Sequence, residues 1–168
     1  MQIDYQIQIL ANAIISFSDS YAKNKQGKEN EQPESEPTQS LIDIVSTLQS
    51  LIDQIQYNNG CKSVIQIPKF LQSLSALVTF RLGSCLNKEI DRQRLEVRSS
   101  SRNCLSRIQV NGDEQIQTVL VDQGYGRVMS ISYCTAGGKG EEQDLEILNG
   151  LIRIYYFLLE LYEGRNNY

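Results

Sequence analysis

The sequence predicts an α+β protein in which about four helices pack on a three-stranded antiparallel β-meander. Apolar residues recur at helical spacing over most of the first 98 positions, and the pattern changes to strand-like alternation after Cys104. A strongly apolar segment, residues 151–162, lies near the carboxyl end and is interrupted by Arg153 and Glu160. This segment is therefore expected to be a core helix and not a membrane span.

The amino-terminal segment, residues 1–21, is predicted to be an amphipathic helix. Its apolar residues recur at alternating steps of four and three, and they are Ile3, Ile7, Leu10, Ile14, Phe17 and Tyr21. Tyr5 and Ile9 add a competing strand-like alternation, but the longer pattern favours a helix. Two roles remain open for this stripe. It either packs on the chain's own core as a fourth helix, or binds a partner or a second copy as a helix in a groove.

Residues 22–39 are predicted to be a flexible linker. They contain two prolines and no large apolar side chain. Such a segment buries too little surface to offset the entropy lost when a chain is ordered. Residues 40–168 are accordingly expected to form the α+β core domain.

A second helix is predicted to begin at residues 38–40, after Pro37, and to end at residues 58–60, where Asn and Gly tolerate a left-handed conformation. Its apolar face consists of Leu41, Ile44, Val45, Leu48, Leu51, Ile52 and Ile55. A brief extended piece is expected at residues 63–67. Pro68 suits the first turn of a third helix, which is predicted to continue to about Arg98.

The meander prediction depends on the pair Asn111-Gly112, which lies between β-prone segments and is typical of a hairpin turn. A three-residue connection or a bulge gives the sheet one consistent apolar face. The facing pairs in that register are Ile108 with Ile116 and Cys104 with Leu120. A second turn at residues 122–126 is expected to lead into a third strand at residues 127–134.

The last helix is predicted over residues 141–163. Two adjacent apolar stripes cover well over half of its circumference, so it needs neighbours on more than one side. One stripe consists of Leu145, Leu148, Ile152, Tyr155, Leu159 and Tyr162, and the other of Ile147, Leu151, Ile154, Leu158 and Leu161.

The composition indicates a globular protein with no general affinity for polyanions. The chain is 40% apolar and 21% charged, and its net charge is −4. Met1 to Asp4 lack the basic character of a secretion signal, and the cysteines, Cys61, Cys85, Cys104 and Cys134, form no close pair. Free thiols and an intracellular, cytoplasmic location are expected, with the nucleus as an alternative.

The chain contains no histidine, which removes most catalytic options. Histidine-based acid–base catalysis, Ser–His–Asp and Cys–His nucleophiles and histidine-ligated metals are all excluded. The spacing of the four cysteines is unlike any compact zinc module. The sequence therefore predicts a protein that is not an enzyme and that holds neither a metal nor a cofactor.

A glycine-rich connection precedes the last helix and is a weak candidate for anion binding. It consists of Gly137, Gly138, Lys139 and Gly140. Glu141, Glu142 and Asp144 follow at once, and they complement the helix dipole and would repel a phosphate. A flexible turn is the expected role of this connection, and a small phosphate-handling enzyme that uses Lys139 ranks last among the functional hypotheses.

A second candidate surface is a run of basic residues between positions 81 and 107. It consists of Arg81, Lys88, Arg92, Arg94, Arg98, Arg102 and Arg107. Three of them, Arg94, Arg98 and Arg102, are spaced by four residues and would share one face of a helix. This face is either a solvated surface with local salt bridges or a contact for nucleic acid or an acidic partner.

The leading functional hypothesis is a non-catalytic protein-interaction module, such as a small subunit, adaptor or regulator. It is expected to use the amino-terminal amphipathic helix and the apolar carboxy-terminal helix for a protein partner or for self-association. The alternative is a nucleic-acid-binding accessory protein that uses the arginine-rich face. No membrane partner is expected.

Overall fold

The protein is all-helical wherever its structure is described. The computed structural model describes residues 2–27, 38–58, 60–82, 86–134 and 144–163, and these ranges hold eight α-helices and no strand. The helices are α1 (Gln2–Gly27), α2 (Thr38–Asn58), α3 (Cys61–Ile65), α4 (Phe70–Val78), α5 (Lys88–Asn111), α6 (Glu114–Asp122), α7 (Tyr125–Cys134) and α8 (Asp144–Glu163). The predicted α+β class and its β-meander are therefore wrong.

Helix α5 is the centre of the packing. It lies mainly against α2 and α4, while α1 packs on α2 and α4, and α8 packs mainly on α7. The core between these helices is built from leucine, isoleucine and phenylalanine side chains. Among those with no exposed surface are Ile7, Ile14, Leu41, Leu48, Leu51, Ile55, Phe70, Leu74, Leu77 and Phe80.

The predicted amino-terminal helix is confirmed, and it docks on the chain's own core. Ile7, Ala11 and Ile14 of α1 are fully buried, and the ring of Tyr21 lies edge-on to Phe80 with 4.8 Å between centroids. The helix runs to Gly27 and α2 begins at Thr38, so the predicted linker of residues 22–39 overlaps both helices. Residues 28–37 lie outside the described ranges.

The second helix is confirmed from Thr38 to Asn58, but the long third helix is not. An extended piece was expected at residues 63–67, but residues 63–65 belong to the helix α3, and the region from Phe70 to Arg98 is divided between α4 and α5. The side chain of Asn87 begins α5 by accepting a hydrogen bond of 2.9 Å from the backbone N–H of Ile90. A cap followed by acidic residues in the first turn is a helix start signal, and it interrupts the apolar periodicity there.

The predicted hairpin turn is a junction between two helices. Asn111 ends α5, Gly112 is extended, and Asp113 caps α6 by accepting a hydrogen bond of 3.1 Å from the backbone N–H of Ile116. A Cβ atom on Gly112 would lie 2.7 Å from the carbonyl oxygen of Ile108, so only glycine fits this close approach. The dipeptide thus marks a chain reversal, but the segments before and after it are helices and not strands.

The four residues that defined the apolar sheet face are all buried, although they are helical. Cys104 and Ile108 are four residues apart on α5, and Ile116 and Leu120 are four residues apart on α6. A spacing of four brings side chains onto one face of a helix, and it also preserves the face of a strand because four is a multiple of two. The pattern therefore identified the buried residues correctly and the secondary structure incorrectly.

The predicted third strand lies in α7. Tyr125 and Met129 are buried, again at a spacing of four.

None of the helices in the described ranges combines the length and apolar content that crossing a bilayer would require.

We predict that docking of α1 stabilises the fold through Ile14. Ile14→Ala removes a fully buried side chain and should lower the free energy of unfolding by about 2–4 kcal/mol. Ile9→Ala, on the same helix but 51% exposed, is the matched control and should change it by less than about 0.5 kcal/mol. Urea denaturation followed by circular dichroism measures both. Equal effects of the two substitutions would contradict the packing of α1 on the core.

Candidate interaction surface

The polar side of α8 faces the protein interior. Glu146, Arg153 and Glu160 follow one another at steps of seven, which places them along one line of the helix, and each is partly buried. Gly150 and Phe157 lie on the same side and are buried. The inner face of α8 thus carries three charged residues, a glycine and one aromatic anchor, and the partly buried Ile154 beside them also packs against the core.

Two hydrogen bonds join this inner face to α5. An Nη atom of Arg102 donates to the carboxylate of Glu146 at 3.1 Å, and the Gln109 amide donates to the carboxylate of Glu160 at 2.6 Å. The Arg102 side chain is 1% exposed and that of Glu146 is 19% exposed, so this ion pair is largely removed from water. Charge-assisted bonds of this kind fix the rotation of one helix against another. Turning α8 would move the carboxylate away from the buried guanidinium that it neutralises.

Arg153 lies between the two glutamates. Burial lowers the pKa of Arg153, while the nearby carboxylate of Glu146 opposes that shift. An arginine stays charged under all ordinary conditions, so its presence adds to the polar character of the inner face. The aromatic anchor lies beside it: the rings of Phe157 and Tyr125 are 4.6 Å apart between centroids.

The opposite side of α8 is apolar and faces outward. Eight large apolar or aromatic side chains on it are between 44% and 90% exposed. They are Leu145, Leu148, Leu151, Ile152, Tyr155, Tyr156, Leu158 and Tyr162, and we call them the outer face of α8. A surface helix normally has the reverse arrangement, and contiguous apolar patches of this kind mark interaction sites.

The three arginines predicted to form a solvated face lie inside the protein. Arg94, Arg98 and Arg102 share one side of α5, and each is at most 5% exposed. Arg98 donates a hydrogen bond of 3.1 Å to the backbone oxygen of Phe80, and the nearest carboxylate oxygen of Asp91 lies 3.9 Å from Arg94. In this fold their guanidinium groups contact protein groups, and they do not form a surface for a phosphate backbone.

The other basic residues of that run are dispersed. Arg92 is exposed and is paired with Glu89 at 2.8 Å and with Glu96. Arg81 lies 5.0 Å from the ring centroid of Tyr21, Lys88 is exposed, and Arg107 is half-buried. The structure therefore does not gather the seven residues into one basic patch.

The predicted stripe of α1 contributes little free surface. Ile7 and Ile14 are fully buried, whereas Leu10, Phe17 and Tyr21 are partly buried against the core. The side chain of Ile3 lies outside the described residues. The contacts of this stripe are made within the chain.

The glycine-rich connection Gly137, Gly138, Lys139 and Gly140 lies outside the described residues. Within the described ranges no group of three or more potential metal ligands occurs. Cys61 and Cys104 are buried free thiols, as expected, and burial raises the pKa of Cys104 well above its usual range, which disfavours the reactive thiolate. A cavity beside Pro68 and Phe70 is small and has no cluster of titratable groups.

Comparison with protein-family models, with curated proteins and with solved structures yields no match. Sequence periodicity had indicated that the last helix has more apolar surface than one neighbour can cover. It had not indicated that the polar residues of this helix face inward. The spacing of Glu146, Arg153 and Glu160 by seven was the available signal.

We predict that the pair Arg102–Glu146 holds α8 in place. Glu146→Leu leaves the buried guanidinium without its carboxylate and should lower the free energy of unfolding by about 3 kcal/mol. The double variant Arg102→Met, Glu146→Leu should regain most of that loss, because neither charge remains to be desolvated.

Glu96→Leu is the control for this pair, since Glu96 and Arg92 form an exposed ion pair within α5 and its loss should change the free energy of unfolding by less than about 0.5 kcal/mol. Chemical denaturation of the four proteins provides the comparison. A double variant that is less stable than Glu146→Leu would contradict the account of this contact.

Proposed function

We propose that the protein is a non-catalytic helical interaction module that binds another protein through the outer face of α8. The exposure of eight large apolar side chains on one side of one helix is the observation that supports this function. Water-exposed apolar surface costs free energy, and burying it against a partner recovers about 25 cal/mol for each Å². Glu146 and Glu160 of this helix are already hydrogen-bonded to α5, so a rotation of α8 that hid the outer face would break both bonds.

The remaining helices form the support on which α8 is held. Helices α1, α2, α4 and α5 share a packed core, and the ion pair and hydrogen bond described above join α8 to α5. An interface residue on a rigid helix loses less entropy on binding than one on a loop. The fold thus presents a preorganised apolar helix, which is a common way of engaging another helix.

The absence of histidine from the whole chain favours a binding role over catalysis. Cys61 and Cys104 are buried, and no metal-ligand cluster occurs in the described part of the chain. These features support a subunit, adaptor or regulator, in which the helices hold a recognition surface.

We expect a photoreactive residue at position 156 to form a covalent adduct with a discrete protein in extracts of the native source. Tyr156 lies on the outer face, whereas Tyr57 is an exposed tyrosine on α2 and is the matched control. Leu151→Glu should abolish the adduct, because it places a charge in the apolar contact. Mass spectrometry of the adducts is the measurement. No protein adduct at position 156, or equal adducts at positions 57 and 156, would contradict the proposed function.

A further inference from the structure

The outer face of α8 follows a heptad repeat. Its central residues lie at alternating steps of three and four, and they are Leu145, Leu148, Ile152, Tyr155, Leu159 and Tyr162. This is the spacing at which two helices pack along a shared seam. Leu159 is half-buried and the other five are exposed, while Leu151, Tyr156 and Leu158 widen the band on either side. The face is therefore shaped for another helix of similar length.

The area of this face is what a stable dimer requires. At roughly 100 Å² of exposed surface for each large side chain, the eight of the outer face offer on the order of 800 Å². A stable protein–protein interface buries about 800 Å² on each partner. The largest apolar patch of a typical monomer is about 300–600 Å², so the outer face exceeds what a chain without a partner normally exposes.

The charge pattern favours a second copy of this chain as the occupant. Among the residues of α8 whose side chains are described, Glu163 at the carboxyl end is the only exposed one that is charged. An uncharged face does not repel its own copy, and an identical face has the same length and the same repeat. A membrane fits poorly, because helices that lie on bilayers carry Lys or Arg beside the apolar face, and the exposed residues of α8 include neither.

We propose that the outer face of α8 binds the same face of a second copy in an antiparallel, two-fold symmetric pair. This proposal rests on the proposed function, since it names the partner for the surface described there. The two-fold axis lies between Ile152 and Tyr155. In this register Leu145 faces Tyr162 of the second copy, Leu148 faces Leu159 of the second copy, and Ile152 faces Tyr155 of the second copy.

Side-chain volume decides between the antiparallel and the parallel arrangement. A parallel pair would place Tyr155 against Tyr155 and Tyr162 against Tyr162 in two layers of the seam, at the heptad position where two-stranded parallel coils use leucine. The antiparallel pair places each of these tyrosines opposite a smaller aliphatic residue, so large and small side chains alternate along the seam. A symmetric, self-complementary patch is also the commonest form of interface in soluble oligomers.

Self-association can be measured by light scattering and sedimentation of the full chain from micromolar to near-millimolar concentration. Ile152→Glu buries a charge beside the two-fold axis and should weaken dimerisation by about 100-fold or more. Ile42→Glu is the matched control, because Ile42 of α2 is 48% exposed and Ile152 is 44% exposed. Circular dichroism and thermal unfolding verify that both variants remain folded.

The orientation of the pair can be measured by double electron–electron resonance. A nitroxide introduced at position 163 through a genetically encoded amino acid avoids the native cysteines. At a rise of about 1.5 Å per residue, the antiparallel pair places the two labels about 28 Å apart along the helix axes. A parallel pair would place them about 10 Å apart, the distance between packed helix axes.

A dimer that Ile152→Glu dissociates, that Ile42→Glu leaves intact and whose labels are about 28 Å apart supports the proposal. A chain that stays monomeric at the highest concentration, a dimer insensitive to Ile152→Glu, or labels about 10 Å apart would overturn it. A monomer that still forms an adduct with a different protein through position 156 would overturn only the pairing and would keep the proposed function. A monomer that forms no adduct with protein, whether or not it binds lipid vesicles, would overturn both.

Discussion

The orientation of α8 depends on the contacts that Arg102 and Gln109 of α5 make with Glu146 and Glu160. Arg102 is buried on the central helix of the protein, and a buried guanidinium needs a carboxylate or an equivalent acceptor. The carboxylates that α8 supplies lie on one line, so the helix must turn that line toward α5. Most of its large apolar residues are then directed away from the core, while Ile154 and Phe157 pack against it. The outer face of α8 is thus exposed because the buried polar groups of α5 take their hydrogen-bond partners from the opposite side of α8.

Helices α1 and α8 show how the same kind of pattern leads to different outcomes. Both carry apolar residues at alternating steps of three and four. In α1 the stripe includes Ile7 and Ile14, which the core made by α2 and α4 covers. In α8 the corresponding stripe faces outward, because the charged residues on the other side hold the helix to α5. Periodicity identifies an amphipathic helix, but the polar partners of its neighbours decide which side is buried.

The sequence predicted the helices α1, α2 and α8 and many of the buried residues. Apolar residues that are three or four positions apart lie on one face of a helix, whichever elements pack beside it. It did not predict the end of α5 or α6, because Cys104 and Ile108, like Ile116 and Leu120, are four residues apart, which fits a strand as well as a helix. It did not predict α7, because Met129, Ile131 and Tyr133 alternate with smaller or polar residues as in a strand. The junction at Asn111 and Gly112 reverses the chain in either reading, and the cap formed by Asp113 was the signal for helices. The buried arginines of α5 were mistaken for a surface because charge is ordinarily exposed.

The central claim is that the outer face of α8 is exposed in the single chain and is covered on association. Hydroxyl-radical footprinting of the unmodified protein tests it directly, since the chain contains tyrosines in both environments. At low concentration Tyr155, Tyr156 and Tyr162 should be oxidised readily, and the buried Tyr125 and Phe157 should be protected. Raising the concentration should protect Tyr155, at the predicted seam, while Tyr57 on α2 remains reactive. Protection of Tyr155 and Tyr162 at the lowest concentration, with oxidation of Tyr125 and Phe157, would contradict the account.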